Sequence, residues 1–296
     1  MRFQALALLL GASLFSSCAL FHSEPLPTVA SDLLIAKDLK WGEGPCLLPD
    51  GRLIFADIPA KRVLSWSATQ GLQTWRTSEG LANGHALAPD GSVVACEEGT
   101  RRIVQTDTHG KLLKVIAEID AEGHRFNSPN DLCFSPAGRL YFSDPTFGIR
   151  AHPELKQQPM NSVFSCKPDG SELRRETGAE MKQPNGLAFA PGGKLLYVID
   201  SELGQVLSYE LYPNGSLGRG HLFCKVVGAD GIRVDSRGRV YITEKGGITL
   251  RWASGVEICR IPLADGCSNL CFGDDVPSVI YVTSPSSCRR LELQWR

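Results

Sequence analysis

Five polar residues, Glu43, Asn83, Asn130, Asn185 and Asp230, each stand eight places before a turn glycine, respectively Gly51, Gly91, Gly138, Gly193 and Gly238. Asn269 takes the nearest corresponding place in a sixth, looser copy, once a one-residue insertion in its turn is allowed. Two carboxylates among neutral amide oxygens form the donor set of a hard divalent cation, and no His or Cys occupies the shared offset. Ca²⁺ suits such a set best, with Mg²⁺, Mn²⁺ and Zn²⁺ left open. A competing reading exists, because Asn83-Gly84, Asn185-Gly186 and Asp230-Gly231 are also hairpin dipeptides. Asn214-Gly215, flanked by strand-like runs, is read that way. The turn reading leaves unexplained why Glu43, a poor turn former, shares the offset.

What must position these residues is a repeat. A turn followed by a β-rich run recurs as LLPDGRLIFAD, LAPDGSVVACE, FSPAGRLYFSD, FAPGGKLLYVID and VDSRGRVYITE, then as FGDDVPSVIYVTS. The first five turn glycines lie 40, 47, 55 and 45 residues apart. Pro and Gly set the backbone of such turns, and the Val, Ile, Leu and Tyr that follow suit buried strands. A second hairpin, such as RIVQTDTHGKLLKVI, follows each run and makes four strands per unit. Six four-stranded units predict an all-β fold, a six-bladed β-propeller, rather than a β-solenoid with its shorter, more uniform period. The strand before each turn is then the innermost of its blade, and the shared offset aims all five groups at one end of the central channel.

The remainder of the chain narrows the setting. With 31 Lys+Arg against 32 Asp+Glu the net charge is −1, which argues against nucleic acid as a partner. Arg2, an apolar run from Ala5 to Phe15 and then Ser16-Ser17-Cys18 have the layout of an export signal too short to span a bilayer. The segment resembles a bacterial lipoprotein signal, with Phe15 in place of the usual Leu. That resemblance implies removal of 1–17, lipidation of Cys18, a tether over 18–32, a propeller domain over 33–296, and attachment to the cell envelope membrane by lipid alone. Nine further cysteines, several inside apolar runs such as VVACEE and VEICRI, read as small buried hydrophobes, and no CxxC pair supports a zinc site. The sequence contains no GxSxG elbow, GxGxxG or GxxxxGK[ST] phosphate loop, or HExxH helix.

WGEGP at 41–45, NSPND at 127–131, SDPTFG at 143–148, PNGLAF at 184–189 and ADGIRVD at 229–235 resemble the signatures of the senescence marker protein/regucalcin and gluconolactonase family. The resemblance covers essentially the whole mature chain. It implies a propeller that binds one divalent metal through Glu43, Asn130, Asn185 and Asp230 and hydrolyses a sugar lactone or related ester, with Asp230 also catalytic. Asn83 would then lie near the substrate. His85, where the family more often has an apolar residue, is read as a substrate contact or a wall residue. His124 and Arg125 are expected near the substrate, and Asp131 is expected to orient Asn130. Arg101 and Arg102 read as a surface pair. Asp144 and Asp200 read either as hydrogen-bonding loop amides or as lining the pocket. Two alternatives stay open: a phosphoesterase or organophosphatase of the same fold, and a propeller that binds a ligand without catalysis.

The signal reading makes a prediction. Cys18→Ser is expected to shift the exported protein from the detergent phase to the aqueous phase on phase partitioning. An aqueous wild type, or a mutant that still carries acyl label, contradicts it.

Overall fold

In the computed structural model, residues 25–274 and 277–296 are described, so the signal segment and Cys18 lie outside the described residues. Twenty-four strands form six antiparallel four-stranded sheets, and the described helical content is two single 3₁₀ turns, Ile58–Ala60 and Pro153–Leu155. Blade one comprises Gly42–Leu47, Leu53–Asp57, Arg62–Ser67 and Gly71–Thr77. Blades two to five begin with the innermost strands Ala82–Leu87, Leu132–Phe134, Pro184–Phe189 and Ile232–Val234. Each innermost strand touches those of both neighbouring blades, so the ring is closed.

Closure is made by chain ends. Blade six takes Asn269–Phe272, Val279–Thr283 and Ser287–Trp295 from the C-terminus and its outermost strand, Pro27–Lys37, from the N-terminus. Pro27 pairs with Trp295 and Lys37 with Ser287. Residues 27–32, read from sequence as tether, are therefore strand, and the propeller domain begins at Pro27 rather than at Leu33. The outer strand faces solvent along most of its length, which is why its sequence lacks the apolar signature of the other strands.

Six apolar clusters fill the six gaps between adjacent blades. The second strand of a blade is covered on both faces by neighbouring blades. Leu53–Asp57, Val93–Glu97 and Leu140–Asp144 are accordingly buried at every position. All nine cysteines of the described chain are free thiols, and seven are buried, as expected of small hydrophobes.

Toward the axis the backbones of neighbouring blades nearly touch, and this settles the Asn-Gly question. The Gly84 amide donates to Asn130 O at 2.8 Å and the Gly186 amide to Asp230 O at 2.9 Å, each across a blade boundary. A Cβ on Gly186 would lie 2.6 Å from Asp230 O. These glycines are contacts between blades, not hairpin corners. Asn214-Gly215, by contrast, is a turn, with Gly215 N bonded to Tyr212 O and Asn214 Oδ1 accepting from Ser216 N. Gly186→Ala is expected to cost about 1–3 kcal/mol, the range for forcing volume into a packed site, and to lower the thermal midpoint. Gly246→Ala, with open space around its added Cβ, is the control and should leave it unchanged.

Candidate functional site

The chain leading into three of the innermost strands is held by the same device. Asp57, Asp144 and Asp200 end the second strands of blades one, three and four, and none is exposed. Asp57 accepts the amides of Lys40 and Trp41 at 2.8 and 3.3 Å, Asp144 those of Asn127 and Ser128 at 2.8 and 2.9 Å, and Asp200 those of Lys182 and Gln183 at 2.6 and 3.2 Å. Those amides belong to the residues three and two places before Glu43, Asn130 and Asn185. Burial pushes the Asp144 carboxyl up to about 7, against its two amide bonds, which favour the charge. Asp144 and Asp200 thus bind loop amides, one of the two roles the sequence left open. Sheet pairing shifts register between Glu43 and Cys46, between Ala82 and His85, and between Pro184 and Leu187, bulges that begin beside the polar positions.

The result is a cavity of about 410 Å³ at one end of the channel, lined by Glu43, Asn83, Asn130, Asn185 and Asp230 together. Asn269 lies beside it and donates to Glu43 Oε2 at 3.2 Å. Glu43 Oε2 also accepts the Gly44 amide at 2.9 Å. Burial raises the pKa of Glu43 well above the usual carboxylate range, and the facing Asp230 raises it further. Burial likewise pushes Asp230 up to about 7, opposed by the Asn185 hydrogen bond and assisted by Asp131. Neither carboxylate has a Lys or Arg partner among the described residues. The Asn83 Oδ1 is buried without a hydrogen bond, and the Asn130 side chain has no protein partner among the described residues. Asn185 uses its Nδ2 on Asp230 Oδ1 at 2.7 Å and Ser201 Oγ at 3.0 Å, which leaves its own oxygen free. Two uncompensated acids and spare amide oxygens are a donor set that fits a divalent cation with oxygen ligands.

Other expected contacts fall elsewhere. His85 is buried and its Nδ1 meets Gly44 O at 3.0 Å, with its ring on the wall of a separate cavity at the opposite end of the channel. Burial lowers its pKa to about 4, so it is neutral. His124 and Arg125 do not line the candidate cavity. His124 closes a turn on Asp120, whose Oδ1 accepts its amide at 2.8 Å, and Arg125 reaches back to Thr100 O at 2.9 Å. Asp120, Glu122 and His124 bring three donor atoms within 4.8 Å of one another. Asp120 is nonetheless occupied by two backbone amides and by Gln158 Nε2 at 3.0 Å. Asp131 does not bond the Asn130 side chain. It accepts from Leu132 N, and its other oxygen meets Asn269 Nδ2 and Arg233 Nη1, both at 3.3 Å. Arg101 is buried and donates to Phe126 O at 2.6 Å, so it is not half of a surface pair, while Arg102 binds Glu97 at 2.9 Å.

Sequence reasoning missed Trp41, Glu98, Phe147, Arg150 and Ser201, which also line the cavity. Trp41 and Phe147 stand inside the quoted motifs WGEGP and SDPTFG. Glu98 follows the buried strand-end acid of blade two, and its carboxylate accepts from Asn83 Nδ2 at 3.3 Å.

Comparison with known proteins identifies the family of the chain. The family model described as SMP-30/Gluconolactonase/LRE-like region matches residues 41–286. A gluconolactonase of Zymomonas mobilis is 31% identical over 271 residues, which span 81% of this chain and 75% of that protein. Regucalcin of Bos taurus is 25% identical over 270 residues, 87% of each chain. The solved structure of a gluconolactonase from Xanthomonas campestris superposes with a TM-score of 0.81 at 27% identity, covering 91% of this chain and 95% of that one. On the match of most of its length, the chain belongs to the SMP-30/gluconolactonase/LRE-like family.

Proposed function

We propose that the protein is a metal-dependent hydrolase of a sugar lactone or related ester, exported to the cell envelope and held there by lipid on Cys18. The observation that carries the reading is the pair of buried carboxylates, Glu43 and Asp230, facing one cavity among neutral amides with no cationic side chain on either. Relatives named gluconolactonase favour a lactone over a phosphate ester as substrate.

Glu43, Asn130, Asn185 and Asp230 would hold the ion, with Ca²⁺ the best match to an all-oxygen set. When bound, a divalent cation supplies Lewis acidity at a carbonyl oxygen and charge compensation for two desolvated acids. The side chains do the rest. Asn185 fixes Asp230 through Oδ1 and leaves Oδ2 without a protein partner among the described residues, so this oxygen takes the proton of the attacking water. Trp41, Ile58, Pro59 and Phe147 give the cavity apolar walls that orient a ring and exclude bulk water.

Two experiments test this reading. Glu43→Gln keeps shape but removes one of two charges, and Ca²⁺ affinity measured by calorimetry should fall about tenfold or more, since affinity in oxygen sites follows ligand charge. Unchanged binding removes Glu43 from the ligand set. Asp230→Asn keeps an oxygen and removes basicity. Lactone turnover should drop by about 10²–10⁴ even at saturating metal, the usual loss for a general base. Asn185→Ala should instead be partly rescued by excess Ca²⁺, and recovery of Asp230→Asn under the same titration would exclude Asp230 as the base.

A further inference from the structure

The geometry points to Glu98 as the acid that protonates the ring oxygen when the lactone opens. This rests on the hydrolase reading above and extends it to the second half of the reaction.

The chemistry requires such a group. Attack by water forms a new C–O bond and breaks the bond between the acyl carbon and the ring oxygen, whose electron pair leaves as an alkoxide. An alkoxide is far more basic than any product at neutral pH, so its departure is accelerated by a proton donor beside it. Among the described residues, the titratable side chains lining the cavity are Glu43, Glu98, Asp230 and Arg150. A guanidinium serves as a charged hydrogen-bond donor rather than as a proton donor. Glu43 has one oxygen bound by the Gly44 amide and Asn269, and it belongs with Asp230 in the proposed cation site. Glu98 is left. Its one hydrogen bond from another side chain is from Asn83 Nδ2, on the residue whose Oδ1 is buried and unpartnered.

Position on the ring supplies the second argument. Asp230 precedes the innermost strand of blade five, and Glu98 follows the second strand of blade two. In a closed ring of six, blades two and five stand directly across the axis. A carbonyl carbon between them would receive water from the Asp230 side and release its ring oxygen toward Glu98. Gly148, in the loop after the SDP segment, packs against the stem of Glu98: a Cβ there would lie 2.9 Å from Glu98 Cβ. Glu98 itself lines the cavity. Burial also raises the Glu98 pKa, which favours the protonated form an acid needs. The cycle balances. Asp230 takes one proton from water, Glu98 gives one to the ring oxygen, and solvent returns both carboxyls to their starting states, for a net addition of one water.

Leaving-group dependence tests the role. An aliphatic sugar δ-lactone releases an alkoxide, whereas dihydrocoumarin releases a phenolate, whose conjugate acid has a pKa of about 10 and needs little help to leave. For Glu98→Gln, which preserves shape and the Asn83 contact, kcat on the aliphatic lactone should fall by about 10²-fold or more, as for a lost general acid. On dihydrocoumarin it should fall less than about threefold, with Ca²⁺ binding unchanged. Equal losses on both substrates, or no loss on either, overturn the assignment while leaving the hydrolase reading intact. A wild-type protein that opens neither lactone at any metal concentration overturns both.

Discussion

Asp57, Asp144 and Asp200 each accept two backbone amides from the residues that immediately precede Glu43, Asn130 and Asn185. A carboxylate with no exposed surface cannot be solvated, so the incoming chain must bring its amides to it. The entry point of each innermost strand is therefore fixed by the strand beside it, not by the loop's own preferences. With entry fixed, the next polar side chain has little choice but to face the axis. Repetition of that clamp in three blades gathers groups from distant parts of the chain into one cavity, where two acids and spare amide oxygens meet.

Blade five reaches the same end differently. Its strand-end acid, Glu244, binds Thr249 Oγ1 and Arg260 instead of incoming amides. The entry is held at Thr243, whose backbone O accepts from Asp230 N at 3.1 Å and whose Oγ1 accepts from Gly231 N at 2.7 Å, as Ser143 holds Asn130 N and Asp131 N in blade three. Glu43, Asp144 and Asp230 all have carboxyl pKa values raised by burial, so each opposes the fold in its charged form, Asp144 in spite of its two amide bonds. The apolar gaps between blades must offset that cost, and they are filled at all six boundaries.

Much of this was legible in sequence because it repeats. The turn glycines and β-rich runs carry the blade count, and one offset carries the cavity-facing residues. Features with no counterpart in other blades were not legible. Residues 27–32 look like tether because an outermost strand faces solvent and needs no apolar pattern. His124 and Arg125 are near Asn130 in sequence, but the Asp120 turn and the reach of Arg125 to Thr100 O direct both side chains elsewhere. Glu98 and Arg150 reach the cavity from loops whose paths depend on long-range packing, such as Gly148 against Glu98. Asn-Gly was ambiguous for a physical reason, since a glycine is equally needed for a tight turn and for backbone approach.

Asp131 shows what happens when the close-approach glycine is absent. In blades one, two, four and five a glycine follows the polar residue, and in blade three that place holds Asp131. Its side chain enters the channel, where it meets Asn269 Nδ2 and the Arg233 guanidinium. Arg233 lines the separate cavity at the other end with Cys46, Cys133 and Cys271. A chain of contacts, Glu43–Asn269–Asp131–Arg233, thus runs from the lining of one cavity to that of the other. Arg233 offsets the Asp131 charge only in part, because Asp131 still raises the pKa of both Glu43 and Asp230, and Asn269 Nδ2 donates to Glu43 and Asp131 alike. Trp41 and Phe147 supply apolar wall to the candidate cavity, and Asp131 acts on Glu43 and Asp230 through charge without lining it.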